Sequence, residues 1–102
     1  MNMIKETFFG SLEPLLIRNG EVVTELATFT SNGKSHKHRK YETCYILSGK
    51  GFIRTDPSKD SVSDYTCFPG RIITIPPKIG HWMEVAEGET MEIMLVYSDC
   101  MP

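Results

Sequence analysis

Residues that favour turns recur along this chain at intervals of about eight to twelve residues, and this spacing restricts the fold to one built from short strands. Asn19-Gly20 is the strongest of these signals, because both residues tolerate the positive φ of a two-residue hairpin turn. Pro76-Pro77 ends the apolar run 72–75, since proline cannot donate a hydrogen bond to a neighbouring strand. About eight short strands with almost no helix predict an all-β fold, either a sandwich or a small barrel.

The same pattern gives expectations for the middle of the chain. Residues 43–47 and 52–55 are rich in β-branched and aromatic side chains, and the connection 48–51 contains two glycines. We therefore expect a second hairpin there. The polar stretch 56–64 is expected to be a surface loop.

A chain of 102 residues is long enough to bury a core of its own, so we expect one domain over residues 1–102. Residues 1–14 are expected to form an N-terminal arm, in which Gly10 and Pro14 leave little room for a helix. The formal net charge is -2 and the composition is 40% hydrophobic, with no apolar run near the length of a membrane span. We expect neither nucleic acid nor membrane as a partner.

The cysteines and the first residues bear on the compartment. Cys44, Cys67 and Cys100 are odd in number and widely spaced, which suits reduced thiols better than a disulfide framework. The opening residues 1–6 lack the charged start and apolar middle of a signal peptide. These features predict a cytoplasmic protein.

Three histidines are present, and two of them, His36 and His38, lie two residues apart in a segment expected to be extended. That spacing places both side chains on the same face, with Glu42 just beyond and the intervening Lys37 facing solvent. Imidazole and carboxylate are common metal ligands at neutral pH. From the local pattern alone, a solvated turn with surface histidines is an equally good interpretation.

The wider pattern favours the metal, because two stretches resemble the two signatures of the cupin superfamily. The first has the spacing HxH, three residues, Glu, six residues and Gly, and the second has Gly, five residues, Pro and a later His. The residues that match are His36, His38, Glu42 and Gly49 in the first stretch and Gly70, Pro76 and His81 in the second. The two motifs and their spacer cover residues 33–85. The departures from the signatures, such as the missing glycine before the HxH, involve no ligand.

This resemblance implies a small cupin β-barrel, also described as a jelly roll or double-stranded β-helix. It also implies one divalent metal ion held by His36, His38, Glu42 and His81. Such a donor set suits Fe, Mn, Ni, Co, Cu or Zn and does not choose among them. The superfamily's known chemistry implies a metal-dependent enzyme of dioxygenase, isomerase, decarboxylase or lyase type that acts on a small molecule in the barrel mouth. The alternative is a cupin that binds a sugar or small acid without turnover.

Other side chains have expected places around this site. The alternation of the strands places Cys44 and Ile46 on the face of Glu42 and Met83 and Val85 on the face of His81, and we expect these four residues to line a mainly apolar cavity. Tyr41 and Cys44 are the candidates for a catalytic role, although each is also an ordinary packing residue in such a strand.

The surface carries two further expectations. A rim of positive charge would steer an acidic ligand to the mouth, although these residues can equally be ordinary surface charges. The residues of this rim are Lys37, Arg39, Lys40 and Lys78. Several apolar residues exceed what a small barrel can bury, and a homodimer is therefore expected. These residues are Phe8, Phe9, Leu15 and Trp82.

Overall fold

The computed structural model describes residues 3–56 and 64–102, and within them the chain forms nine strands and no helix. The strands are β1 (Lys5–Thr7), β2 (Gly10–Arg18), β3 (Glu21–Phe29), β4 (Tyr41–Ser48), β5 (Gly51–Thr55), β6 (Tyr65–Cys67), β7 (Ile72–Ile75), β8 (His81–Val85) and β9 (Met91–Ser98). The expected all-β fold is confirmed. No helix within these ranges is long and apolar enough to cross a membrane.

The strands form two antiparallel sheets that enclose one core. The larger sheet has the order β1-β2-β3-β9-β4-β7, and the smaller has the order β6-β5-β8. The segment expected to be an N-terminal arm contributes β1 and the start of β2 to the larger sheet. Of the expected surface loop, residues 57–63 lie outside the described residues.

The first hairpin forms as the sequence predicts. Asn19 and Gly20 adopt φ values of 53° and 78°, and Arg18 pairs with Glu21 across the turn. The register shifts on either side of Leu16, so this end of β2 is irregular.

The second predicted hairpin is wrong. Strand β4 pairs with β7 and β9 in the larger sheet, whereas β5 pairs with β6 and β8 in the smaller one. The connection between them crosses from one sheet to the other at Gly49, which has φ 82° and lies against Thr90. Glycine suits both this crossover and a tight hairpin turn, because it tolerates positive φ and a close approach of two backbones. The glycines here therefore do not distinguish the two.

The core lies between the two sheets and is lined by alternate residues of each strand. Its buried apolar residues are Ala27, Phe29, Cys44, Ile46, Ile53, Cys67, Ile73, Ile75, Met83, Met91, Ile93 and Leu95. Polar residues also occur on these inward faces, and two of them are almost completely buried: Glu42 on β4 is 1% exposed, and His81 on β8 is fully buried. The two sheets therefore bring a carboxylate and an imidazole from opposite sides into one interior.

Candidate metal centre

The segment that carries the first two histidines is attached to the edge of β8. The amide of His36 donates to the carbonyl of His81 at 3.0 Å, and the amide of His81 donates back to His36 at 2.9 Å. The amide of Lys78 donates to the carbonyl of His38 at 2.8 Å. The segment 34–40 is not the continuous strand expected from the sequence, since His36 forms an isolated bridge and β4 starts at Tyr41. These backbone bonds nevertheless join two parts of the chain that are distant in sequence.

One ligand atom from each of four side chains falls within 4.8 Å of the other three. The four are the residues singled out by the two sequence motifs, namely His36, His38, Glu42 and His81. The imidazole ring centroids of His36 and His81 are 4.3 Å apart, and those of His38 and His81 are 5.2 Å apart. His36 is exposed at the open side of the group, while Glu42 and His81 form its buried floor.

Each histidine is oriented by a backbone carbonyl two residues away. The Nδ1 atoms of His36, His38 and His81 lie 3.0, 2.9 and 2.9 Å from the carbonyl oxygens of Lys34, Lys40 and Ile79 respectively. A carbonyl oxygen only accepts, so each Nδ1 carries the proton. In the neutral ring, Nε2 then holds a lone pair, which is the donor that a metal ion needs.

In the metal-free protein, the Nε2 atoms of His38 and His81 face the carboxylate of Glu42. Its Oε1 is 2.7 Å from His38 Nε2 and 3.4 Å from His81 Nε2. A carboxylate oxygen only accepts, so His38 donates to Glu42 from a protonated Nε2, and a metal ion that binds His38 would displace this proton. This hydrogen bond raises the pKa of His38, although burial opposes the increase. Burial alone would raise the pKa of Glu42, but His38 and the nearby His81 outweigh it and lower the value to about 2. The carboxyl group is therefore ionised, and a positive charge among these nitrogens stabilises it.

His81 Nε2 is left without a hydrogen bond. It is buried, its 3.4 Å contact with Glu42 does not have hydrogen-bond geometry, and it has no other partner within residues 3–56 and 64–102. A buried nitrogen in this state costs about 1–3 kcal/mol. A cation bound among the four side chains would remove that cost, so the residues present fit a metal ion.

A cavity of about 270 Å³ adjoins this group. Its walls are mainly apolar, and His36 and Glu42 contribute to them from the histidine side. The other lining residues are Phe8, Phe9, Leu12, Glu25, Phe29, Gly33, Lys34, Ser35, Met83, Leu95 and Tyr97. This volume lies just below the usual range for pockets that hold drug-sized molecules, so the cavity suits a smaller ligand.

Neither of the two catalytic candidates is among the residues that line this cavity. Cys44 lies in the core, where its Sγ donates to Glu42 Oε2 at 3.5 Å. Burial and the negative charge of Glu42 raise the pKa of the Cys44 thiol well above its usual value, so it stays protonated. Tyr41 lies next to Glu42 on the opposite face of β4 and does not line the cavity. Of the side chains expected to line the cavity by alternation, Met83 does so, whereas Ile46 is in the core.

Two polar cavity residues, Glu25 and Tyr97, are missing from the expectations based on sequence. Tyr97 donates from its hydroxyl to Glu25 Oε2 at 2.6 Å. The sequence of β3 contains a feature that could have identified Glu25. This residue occupies the same face of the strand as Ala27 and Phe29, both of which are buried. A charged residue on the inward face of a strand points to a specific role.

One residue of the expected basic rim is paired with acidic side chains. Lys40 contacts Glu21 at 3.3 Å and Asp99 at 3.2 Å, so acidic neighbours already offset its charge. Lys37 and Arg39 are exposed as expected. The positive group that does line the cavity is Lys34, whose Nζ lies 5.2 Å from the centre of the Phe8 ring.

Comparison with known proteins finds several similar to this chain. The family model for the cupin domain matches residues 22–97. The chain is 28% identical over 65 residues to acireductone dioxygenase from Aquifex aeolicus, a match that covers 64% of this chain and 35% of that protein. Its fold resembles that of the capsular polysaccharide assembling protein CapF from Staphylococcus aureus, with a TM-score of 0.78, 18% identity, and coverage of 100% of this chain and 30% of CapF. The chain thus spans about a third of the length of both proteins.

The fold also resembles the CENP-C cupin domain of Drosophila melanogaster. The TM-score is 0.81 at 9% identity, and the match covers 95% of this chain and 75% of that one. The TM-scores of these two matches show a shared fold. At identities this low, function has to be argued from the site itself.

Proposed function

The chain belongs to the cupin domain family, and on that premise we propose that it binds one divalent transition metal ion and acts on a small molecule in the adjoining cavity. The metal ligands would be its three histidines and Glu42. The observation that carries this proposal is the buried His81 Nε2, which has no hydrogen-bond partner in the described part of the chain and is directed at the same group as the other donors.

The chemistry of the donor set limits which metal ions are expected to bind. Imidazole nitrogens with one carboxylate favour iron, manganese, nickel, cobalt, copper or zinc over calcium and magnesium, which prefer oxygen ligands. When bound, such an ion supplies Lewis acidity and, if it is redox-active, electron transfer with dioxygen.

The chain's own residues prepare the site for a ligand. The carbonyls of Lys34, Lys40 and Ile79 hold the imidazoles in one tautomer. The Cys44 thiol donates to Glu42 Oε2, while Oε1 is the oxygen directed at His38 and His81. The apolar wall beside them limits the entry of water, which strengthens polar contacts inside the cavity.

A dioxygenase-type oxidation is the reaction that we propose for this site. The sequence similarity to acireductone dioxygenase supports it, although only 35% of that enzyme is matched. Isomerase, decarboxylase or lyase chemistry would use the same ligand set.

Two measurements test the proposal. Protein purified without an affinity tag should contain about one equivalent of a transition metal by elemental analysis, and less than about a tenth of an equivalent overturns metal binding. Oxygen uptake by the iron-loaded protein is then measured with small catechols, β-diketones and α-hydroxyketones. Uptake with one of these classes, lost in His81→Leu, supports the oxidation.

A binding protein without turnover is the second candidate, and the composition of the cavity favours it. Besides His36 and Glu42, the ionisable residues that line the cavity within the described ranges are Glu25, Lys34 and Tyr97. Burial raises the pKa of Tyr97 far above its usual range, with the charge of Glu42 adding to the effect, so its hydroxyl stays protonated near neutral pH. Metal-dependent binding of these probes without conversion of any of them would support this candidate.

We also propose that two copies of the chain associate and that the protein is cytoplasmic. The larger sheet exposes apolar side chains on its outer face, including Leu16, Ile17 and Ile72, and a second copy would cover them. The three cysteines are free thiols, as expected in a reducing compartment. Light scattering coupled to gel filtration tests the dimer, and cell fractionation tests the location.

A further inference from the structure

A hydrogen-bonded pair of side chains, Glu25 and Tyr97, occupies the cavity wall next to the candidate metal centre. Tyr97 lies on β9, directly opposite Glu42 in the register of β4 and β9. The edge of its ring contacts His38, with 5.7 Å between the ring centroids. Its hydroxyl reaches away from that centre to Glu25 on β3, at 2.6 Å from Oε2. The pair therefore links the metal side of the cavity to a carboxylate further along the wall.

Only one oxygen of that carboxylate is used by the protein. Oε2 of Glu25 accepts from Tyr97, whereas Oε1 has no hydrogen-bond partner among the residues that the structure describes. The neighbouring wall is apolar, with Leu12, Phe29 and Leu95 lining the same cavity. Glu25 is half-buried and its Oε1 is not among the buried unpartnered atoms, so this oxygen is open to a donor from outside the protein. Water supplies one in the absence of a ligand, and a ligand group can replace it.

The charges around the cavity determine which kind of ligand donor group can bind to Glu25. The carboxylate of Glu25 would attract an ammonium group, but Lys34 and a bound divalent ion in the same cavity would repel it. A neutral hydroxyl group avoids that repulsion and can still donate to Glu25. The apolar walls require the rest of the ligand to be apolar, and the volume of about 270 Å³ limits it to a small metabolite.

We propose that Glu25, held in place by Tyr97, is the ligand-positioning residue of this cavity and accepts a hydrogen bond from a hydroxyl group of the ligand. The ligand class is then a small hydroxylated molecule that presents oxygen donors to the metal at one end, an apolar body in the middle and a hydroxyl group at the other end. This inference rests on the metal site under "Proposed function". It adds a second point of recognition, which sets the ligand's orientation and specificity.

The test uses matched probes that bind the metal in the same way. The protein is loaded with zinc, which is redox-inert, and is titrated in a calorimeter with 3- and 4-hydroxybenzohydroxamate and with the corresponding 3- and 4-methyl compounds. The hydroxamate group binds the metal, and hydroxyl and methyl groups are similar in size. With the wild-type protein, at least one hydroxyl isomer should bind about tenfold more tightly than its methyl counterpart, because a hydrogen bond to a carboxylate is among the stronger ones.

Three variants locate the source of that preference. Glu25→Leu should abolish or reverse it, since a hydroxyl group facing an apolar wall loses its hydrogen bonds to water. Glu25→Gln is nearly isosteric, keeps an oxygen acceptor and should retain a reduced preference of about threefold. Tyr97→Phe leaves the carboxylate but removes its anchor, so the preference should fall while the affinity for the methyl probes changes little. Glu87→Gln, in an exposed turn outside the cavity, is the matched control and should behave as wild type.

The outcomes separate this inference from the proposed function. If zinc and the probes bind but the hydroxyl preference is absent, or persists unchanged in Glu25→Leu, the role of Glu25 is overturned and the metal site stands. If zinc does not bind, or no probe binds the zinc-loaded protein, the metal site is refuted and this inference falls with it. If Glu25→Leu does not fold by circular dichroism, Glu25→Gln carries the comparison.

Discussion

Replacing His81 with leucine should affect the stability of the metal-free protein much less than its stabilisation by metal. The side chain is fully buried, so a substituent of similar size can occupy the space without exposing the core. In the metal-free protein, the change removes an unpartnered Nε2 that costs about 1–3 kcal/mol. It also removes the hydrogen bond from Nδ1 to the carbonyl of Ile79, which contributes about 0.5–1.5 kcal/mol. The loss of His81 also removes part of what lowers the pKa of the buried Glu42, which works against the gain. The stability of the metal-free variant should therefore differ from that of wild type by less than about 3 kcal/mol.

With metal present, the wild type should be stabilised more than His81→Leu. A ligand at a hundred times its dissociation constant stabilises the folded state by about 2.7 kcal/mol. The wild type should gain this amount with zinc, and His81→Leu should gain less than about 1 kcal/mol at the same concentration.

Urea denaturation with chelator and with zinc measures both quantities by linear extrapolation. Ile53→Val is the control, because it removes one buried methyl group from β5, the neighbouring strand. It should cost about 0.5–1.5 kcal/mol under both conditions and keep the zinc increment. A loss of more than about 3 kcal/mol in the metal-free His81→Leu protein would refute the reasoning, since Nε2 would then have a stabilising partner. An undiminished zinc increment would refute it as well.

The remaining predictions concern pH and the backbone. The pKa of Glu42 is lowered from 4.5 to about 2, so its contribution to the stability of the metal-free protein is complete above pH 4.5 and is lost as the pH falls toward 2. The pKa of His38 is raised above 6.5, so its contribution is complete below that pH and is lost at higher pH. Urea denaturation of the metal-free protein from pH 2 to 9 should show both losses, and Glu42→Gln should remove the acidic one; an unchanged acidic limb in that variant would contradict the assignment. Gly49→Ala should cost more than about 3 kcal/mol, because its φ is 82° and a Cβ would lie 2.1 Å from the carbonyl oxygen of Thr90. Gly88→Ala, at φ 78° with nothing within 4 Å, should cost only about 1 kcal/mol, and equal losses in thermal melts would argue against the close approach at Gly49.

The sequence predicts the features that depend on short-range spacing. The turn at Asn19-Gly20 depends on two residues that tolerate positive φ, and the structure has that turn. The spacing of the two motifs selects four side chains, and the structure brings all of them together. The turn is local and follows from the two residues alone. The meeting of His81 with the other three ligands is long-range, and it is expected only from the resemblance to the cupin signatures.

Long-range pairing is where sequence reasoning fails. The glycines around Ser48 allow either a hairpin or a crossover, and the choice depends on which strands β4 and β5 find as partners elsewhere in the chain. The pairing of Glu25 with Tyr97 has the same origin, because their strands become neighbours only in the assembled sheet. An inward-facing glutamate can be recognised in the sequence, but its partner cannot.

The carbonyls that orient the three imidazoles have a consequence for how such a protein can diversify. Each one belongs to a residue two positions from the histidine that it fixes, so the orientation of every ring is encoded within a few neighbouring codons. Much of the opposite cavity wall is encoded elsewhere, on β2, β3 and β9. Mutation can therefore reshape the wall while leaving the imidazoles aligned. An ancestral chain with this arrangement could acquire new ligands one wall residue at a time without losing its metal along the way.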